Sequence, residues 1–439
     1  MVCTSSVCAF RCAGRAVGRA LIINMRNDMA PELPGRDGRL LQHRSFVAFW
    51  LARTSSSFGF QMLSIIVGWQ IYSQTHSAFW LGMIGLVQFF PSVTLALPAG
   101  HIADQFDRRR VVLLGQICEW VAIVLLAWLT WKGNASVGVI LLLIFVISCA
   151  KTLESPAMVS MLPALVPTAI LPRATAANAV SGQAAQIVGP ALGGFLYAAG
   201  ADVVYLTTAG LYLVSLLLVI TLRYEQAQPK RTPATLSSLF AGVHFIRNRP
   251  DVLGVISLDL FAVLLGGATA LLPIFAHDVL HTGPIGLGLL RSAPAVGALL
   301  VGFWLSHRAL NRRVGMIMFF SVAGFGVATL VFAFSSWMWL SLLALFALGG
   351  FDMVSMVIRG SLVQLDTPDD MRGRVNAVNS IFINTSNQLG EFESGMLAAW
   401  LGAVPAVAIG GMGTLIVVAL WMKWFPGLRH RQRLESRAG

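Results

Sequence analysis

Gly100-His101-Ile102-Ala103-Asp104-Gln105-Phe106-Asp107-Arg108-Arg109-Arg110 sets a dense charge cluster between two apolar runs, each long enough to cross a membrane. About two hundred residues later a weaker copy appears. Gly302-Phe-Trp-Leu-Ser-His-Arg-Ala-Leu-Asn-Arg312-Arg313 again follows an apolar run, keeps the glycine and ends in adjacent arginines. A charged hairpin that recurs between apolar runs points to an internal duplication in a polytopic membrane protein.

Composition supports this. With 56% hydrophobic and 11% charged residues, the chain falls far short of the roughly one-quarter charged content of a soluble domain. Twelve predominantly apolar windows of membrane-spanning length are predicted as helices. They run over 46–73, 79–102, 109–131, 137–160, 173–199, 203–222, 252–279, 286–307, 314–334, 338–364, 374–401 and 404–424. The expected fold is all-α, with twelve transmembrane helices in two pseudo-symmetric six-helix bundles at 45–222 and 251–425. A connector over 223–250 and basic tails at 1–44 and 426–439 complete the chain.

The net charge of +12 would suit nucleic acid if it were clustered on one surface. It is not. Arg108, Arg109, Arg110, Arg173, Arg223, Lys230, Arg231, Arg247, Arg249, Arg308, Arg312, Arg313, Arg372 and Arg374 fall in alternate connections, while the opposite connections hold essentially Lys132 alone. This is the positive-inside pattern, which puts both termini and the connector in the cytoplasm. Cys3, Cys8 and Cys12 lie in the N-terminal tail and Cys118 and Cys149 inside predicted helices, so no disulfide framework is expected. The tail reads as a disordered extension, or as sequence upstream of a true start at Met25 or Met29.

A second pair of segments strengthens the duplication. Leu165-Val166, a proline-containing turn and Arg173 through Asn178-Ala179-Val180 parallel Leu362-Val363, Thr367-Pro368 and Arg374 through Asn376-Ala377-Val378. Two halves of like orientation imply a two-fold axis along the membrane normal and a binding cavity between the halves.

Ionisable groups inside spans cost about 2.5–3.5 kcal/mol each on insertion scales, so they should face a cavity or a partner. Arg53, Lys151, Glu154, Asp259 and Arg359 lie at similar depth and could form one mixed-charge layer. Asp352 sits two helical turns from Arg359 on the same face, either as a proton-exchanging carboxylate or as a permanent ion-pair partner. Asn376, Ser380, Asn384, Asn387 and Glu391 form one helical stripe, with Arg291 as a candidate partner for Glu391; close packing between helices is the other reading of the asparagines. Arg53, Ser57, Gln61 and Ser64 make a similar face on the first helix. No metal-spaced histidine cluster, phosphate loop or nucleophile motif is present, so neither a metal, a cofactor nor an enzyme is expected. His277 and His281 read as solvated residues of an outer loop.

Six plus six helices joined by these charged loops resemble the major facilitator superfamily, whose loop signature is G-x-x-x-D-R-x-G-R-R. The chain matches it at Gly100, Asp104, Arg109 and Arg110, but has Gln105 for the arginine and Asp107 for the second glycine. The resemblance implies a cytoplasmic gate in which Asp104 engages the start of the eleventh helix near Arg374. It also implies that the arginines Arg108 to Arg110 bind neighbouring helices. Gly182-x6-Gly189-Pro190-Ala-Leu-Gly193-Gly194 is similar to the superfamily's antiporter signature on helix five. Pro368-Asp-Asp-Met-Arg372-Gly373-Arg374-Val375, the run Asn387 to Gly395, and Arg44 with Arg53 resemble the bacterial enterobactin exporter branch. That implies a monomeric inner-membrane exporter of a siderophore-like or amphipathic small molecule, driven by protons, with Asp352, Asp259 and Glu391 as candidate proton sites. A proton-driven uptake symporter is the alternative on the same scaffold, and a non-transporting receptor a more distant one.

Overall fold

The computed structural model describes residues 40–222, 236–308 and 312–433. The tail to residue 39 with its cysteines, Met25 and Met29, the connector's Arg223, Lys230 and Arg231, and 434–439 lie outside the described residues. Long helices dominate the rest. In the first half they are α1 (Arg44–Thr75), α2 (Ala78–Thr94, continued as Ala96–Gln105), α3 (Arg108–Trp131), α4 (Val137–Leu165), α5 (Leu171–Leu196) and α6 (Ala201–Thr221). The second half holds α7 (Pro250–Leu265, continued through short helical turns to Val279), α8 (Gly283–His307), α9 (Val314–Ala333), α10 (Met338–Leu365), α11 (Asp369–Leu401) and α12 (Ala403–Trp424). Each overlaps one of the twelve windows read from the sequence.

Local chemistry sets the ends. Asp107 caps α3 by accepting from the backbone amides of Arg109 and Arg110, satisfying donors that a helix start leaves free. α2 bends by 53° between its two pieces, where Pro91 and Pro98 interrupt helical hydrogen bonding. The chain reverses between α5 and α6 at Gly200 and between α11 and α12 at Gly402. Both have positive φ, 128° and 93°, where a side chain would be strained.

Packing repeats between the halves. α1 packs on α5 and α6, α3 on α4 and α6; correspondingly α7 packs on α11 and α12, and α9 on α10 and α12. The halves meet through the related pairs α2 with α11 and α5 with α8. These contacts are close because glycines face backbone. A methyl placed on Gly85 would lie 2.6 Å from the Gln388 carbonyl, and one on Gly288 would lie 2.6 Å from the Pro190 carbonyl. Small residues are what permit such approach in lipid, where no hydrophobic force drives helices together.

Among the described residues, eight helices are long and apolar enough to cross a membrane, or nine with bent α2 taken as one span. α1, α5 and α11, of 32, 26 and 33 residues, are long enough but more polar, and all three face the interface between the halves. Trp131, Trp337, Trp339 and Trp400 stand exposed at one end of the bundle, as interfacial tryptophans do. That end is called the outer end below, and the arginine-rich end the inner.

Four apolar clusters fill the structure. Three are confined to one half each. The fourth joins Ile65, Trp69 and Leu81 of the first half to Leu272, Phe275 and Leu290 of the second at the outer end. Two segments gain detail that the sequence reading did not assign. The second part of the connector, Leu236–Arg247, is a helix packed on α11, with Gly242 against the Arg374 carbonyl. The C-terminal tail is held as far as Arg431, whose guanidinium bridges Asp366 at 2.7 Å and Asp251 at 3.9 Å; a paired arginine docks chain that its basic composition alone would leave solvated.

Candidate functional site: a cavity between the halves

A cavity of about 1130 Å³ lies between the bundles. It reaches the inner end, where Gly100, Pro163 and Gly373 form its rim, and the apolar cluster shared by both halves closes it at the outer end. Polar side chains line it because α1, α4 and α11 turn their polar faces inward. Gln61 and Ser64 come from α1, Lys151 and Thr152 from α4, and Asn376, Ser380, Asn384, Asn387 and Glu391 from α11. A single helical stripe thus supplies one wall. The lining contains three charged groups, Lys151, Arg291 and Glu391. Lys151 places its ammonium 4.0 Å from the centre of the Phe60 ring, a cation–π contact.

Arg291 and Glu391 face the same space, but Arg291 donates to the Thr269 carbonyl at 3.1 Å and no ion pair within 4.0 Å joins the two side chains. The proposed single charged layer is divided. In the second half, Arg359 bridges Asp259 and, at 3.8 Å, Asp352; these three lie beneath the wall, with Asp259 and Asp352 lining a small separate pocket beside Ser355. In the first half, Arg53 and Lys151 lie near Glu154. The half-interface keeps the two groups apart, since each sits within its own bundle.

The loop at Gly100 is held within the first half. Asp104 approaches Arg108 at 4.0 Å, Arg108 donates to the carbonyls of Ala103 and Ser160, and Arg109 donates to those of Val219 and Ile220 on α6. Arg110 pairs with Asp107 at 3.9 Å. Asp104 makes no bond to α11 here among the described residues, because the inner ends of the halves are parted. Arg374 is exposed, with Nη1 against the Met371 sulfur. On α5, Gly189 packs on Gln61 and Gly193 on Met62 of α1, and Gly194 packs on the Pro284 carbonyl of α8, whereas Gly182 faces open space; Pro190 supplies the carbonyl under Gly288.

Several residues escape sequence reading. Glu119 of α3 is fully buried beside Glu154; a lone glutamate in an otherwise apolar span was the available signal. Across the halves, Gln388 donates to the Ser92 hydroxyl at 2.8 Å and Gln183 to the Ala295 carbonyl at 3.1 Å. At the outer end the Tyr72 hydroxyl donates to Asp278, and His277 meets Asp278 at 2.6 Å. His277 and His281 both keep contact with solvent, as a loop position predicts, but the His277 ring also packs with Trp69, Tyr72 and His76, since the end of α7 is pressed against α1.

The comparisons agree with this architecture. The chain is 27% identical to the enterobactin exporter EntS of Citrobacter koseri over 89% of this chain and 94% of that one. It is 27% identical to the enterobactin exporter EntS of Escherichia coli K12, with the same coverage. In fold it is similar to the nucleoside transporter NupG D323A mutant, with a TM-score of 0.67 and 14% identity over 88% of this chain and 100% of that one. A bacterial homologue of the iron transporter ferroportin in an inward-facing state gives a TM-score of 0.64 with 18% identity over 88% and 99%. The model of the family described as transmembrane secretion effector, MFS_3, matches residues 40–436. The chain thus belongs to that family and is a multi-pass membrane transporter of the major facilitator type.

Proposed function

We propose that this protein is a proton-coupled exporter of the bacterial inner membrane, working as a monomer by alternating access. All twelve long helices span the bilayer in this reading, and both termini face the cytoplasm, the side to which an excess of arginine is drawn. The observation that carries it is the cavity: enclosed by both halves, accessible from the inner end and sealed at the outer end by apolar contacts between the halves. Closing the inner end while parting the outer one would carry a bound molecule outward.

A volume of about 1130 Å³ lies at the upper end of small-molecule sites and suits a bulky cargo. Two cations against one carboxylate in the lining suit a cargo with acidic groups, and the Phe60 ring and apolar residues of α4 suit an aromatic or amphipathic body. A siderophore-like molecule meets those requirements, and the relatives named as enterobactin exporters support it. The partners are this cargo, protons and the lipid bilayer. The test is flux of enterobactin in proteoliposomes under an imposed pH gradient. Acceleration by the gradient is expected; flux indifferent to it would overturn the proton coupling.

A further inference from the structure

The first half buries two glutamates behind the cavity wall. Glu119 of α3 has no exposed surface and Glu154 of α4 has 5%. Both oxygens of Glu119 and Oε2 of Glu154 have no hydrogen-bond partner. Gly115 of α3, one turn from Glu119, lets α4 bring Glu154 close: a methyl on Gly115 would lie 3.0 Å from Glu154 Cβ and 3.2 Å from its Oε2. The titratable and charged groups that face the pair are Arg53 from α1, Lys151 from α4 and Tyr212 from α6. The Tyr212 hydroxyl is itself buried and unpartnered.

We propose that Glu119 and Glu154 form one proton-binding pair and that this pair, rather than Asp259 or Asp352, carries the exchangeable proton of the transport cycle. The assignment rests on the proton-coupled reading above. An isolated carboxylate taken out of water without donors costs several kcal/mol, and two carboxyls in one low-dielectric site relieve that cost by binding a proton between them, which titrates as a property of the pair. The second half solves the same problem differently. There Arg359 neutralises Asp259 and approaches Asp352, so that a proton would have to displace a guanidinium from its partner. Lys151 links the pair to the transport route: it faces the two glutamates on one side and lines the cavity over Phe60 on the other. Binding is simple in its balance: one proton enters from water in the cavity, one carboxylate becomes a carboxyl, and the reverse step returns both.

The test needs no cargo. Infrared difference spectra of the full chain in liposomes, recorded across a pH step, should show a titrating carbonyl stretch of protonated carboxyl groups. Glu119→Gln and Glu154→Gln should each abolish it, because either substitution breaks the unit, while Asp352→Asn should leave it. If one variant fails to insert, the other decides. A band that persists in the glutamine variants, or no titrating band in the wild type, overturns the assignment. Enterobactin flux by the wild type under a pH gradient separates the two levels: flux indifferent to the gradient removes the coupling reading itself, whereas gradient-driven flux that is undiminished in both variants removes only the role of this pair.

Discussion

Arg359 holds the ionic network of the second half together, bridging Asp259 and lying 3.8 Å from Asp352. Removing one partner of a buried ion pair leaves an uncompensated charge, which costs about 3–5 kcal/mol. Asp259→Asn is therefore expected to lower thermal stability strongly, and Asp259→Asn combined with Arg359→Met to recover much of it, as read by thermal unfolding in detergent. Tyr72 acts differently. Its hydroxyl joins α1 to the end of α7 through a half-exposed aspartate, so Tyr72→Phe should release about 1 kcal/mol of outer-end closure. A spin-label distance measurement across the outer ends of α1 and α7 should show several-fold more of the opened population. In the cavity, Arg291→Gln removes one of its two cations, so if the proposed acidic cargo binds there, binding of enterobactin as a test ligand should weaken more than the loss of the Thr269 contact lowers stability.

At the scale of elements, the halves touch at the crossings of α2 with α11 and of α5 with α8, so in the proposed cycle these crossings would set how the halves rock. Gly288→Leu would force a side chain against the Pro190 carbonyl, where even a methyl would stand 2.6 Å away. Each bundle should still fold, because the cores of the individual halves are untouched, but flux should fall severely. Comparison of helical content with transport rate checks this. The helices themselves are legible in the sequence because apolar length is a local property. The stripe from Asn376 to Glu391 is legible for the same reason, since four residues of spacing already define a face. The surroundings of Glu119 are not legible, because its neighbours on α4 and α6 meet it only after the bundle packs. Nor is the docking of Leu236–Arg247 on α11, where a short helix in a polar connector finds its apolar neighbours in three dimensions. His277 shows the same limit: its solvent exposure is legible from its place near a predicted loop, but its ring contacts with Trp69 and Tyr72 need the end of α7 to be placed against α1.

For the whole molecule, the parted inner ends leave the Gly100 loop bound to its own half. In the opposite state Asp104 is expected to reach the start of α11, where a carboxylate near a helix N-terminus is stabilised. Asp104→Asn should then favour the inward-open arrangement and slow transport, while Gln105→Arg should be tolerated; label distances across the inner end report the first, and flux reports both. The duplication seen in the loops becomes, in three dimensions, a repeated packing scheme with unlike charge chemistry in its two copies.

The apolar cluster that joins the halves at the outer end has a thermal consequence. In the proposed cycle, opening that end would wet Trp69, Leu272 and Phe275, and newly hydrated apolar surface raises heat capacity. Unless the closing inner end buries a matching area, the balance between the two states must curve with temperature, so that cooling and warming do not act as mirror images on the resting orientation of the carrier.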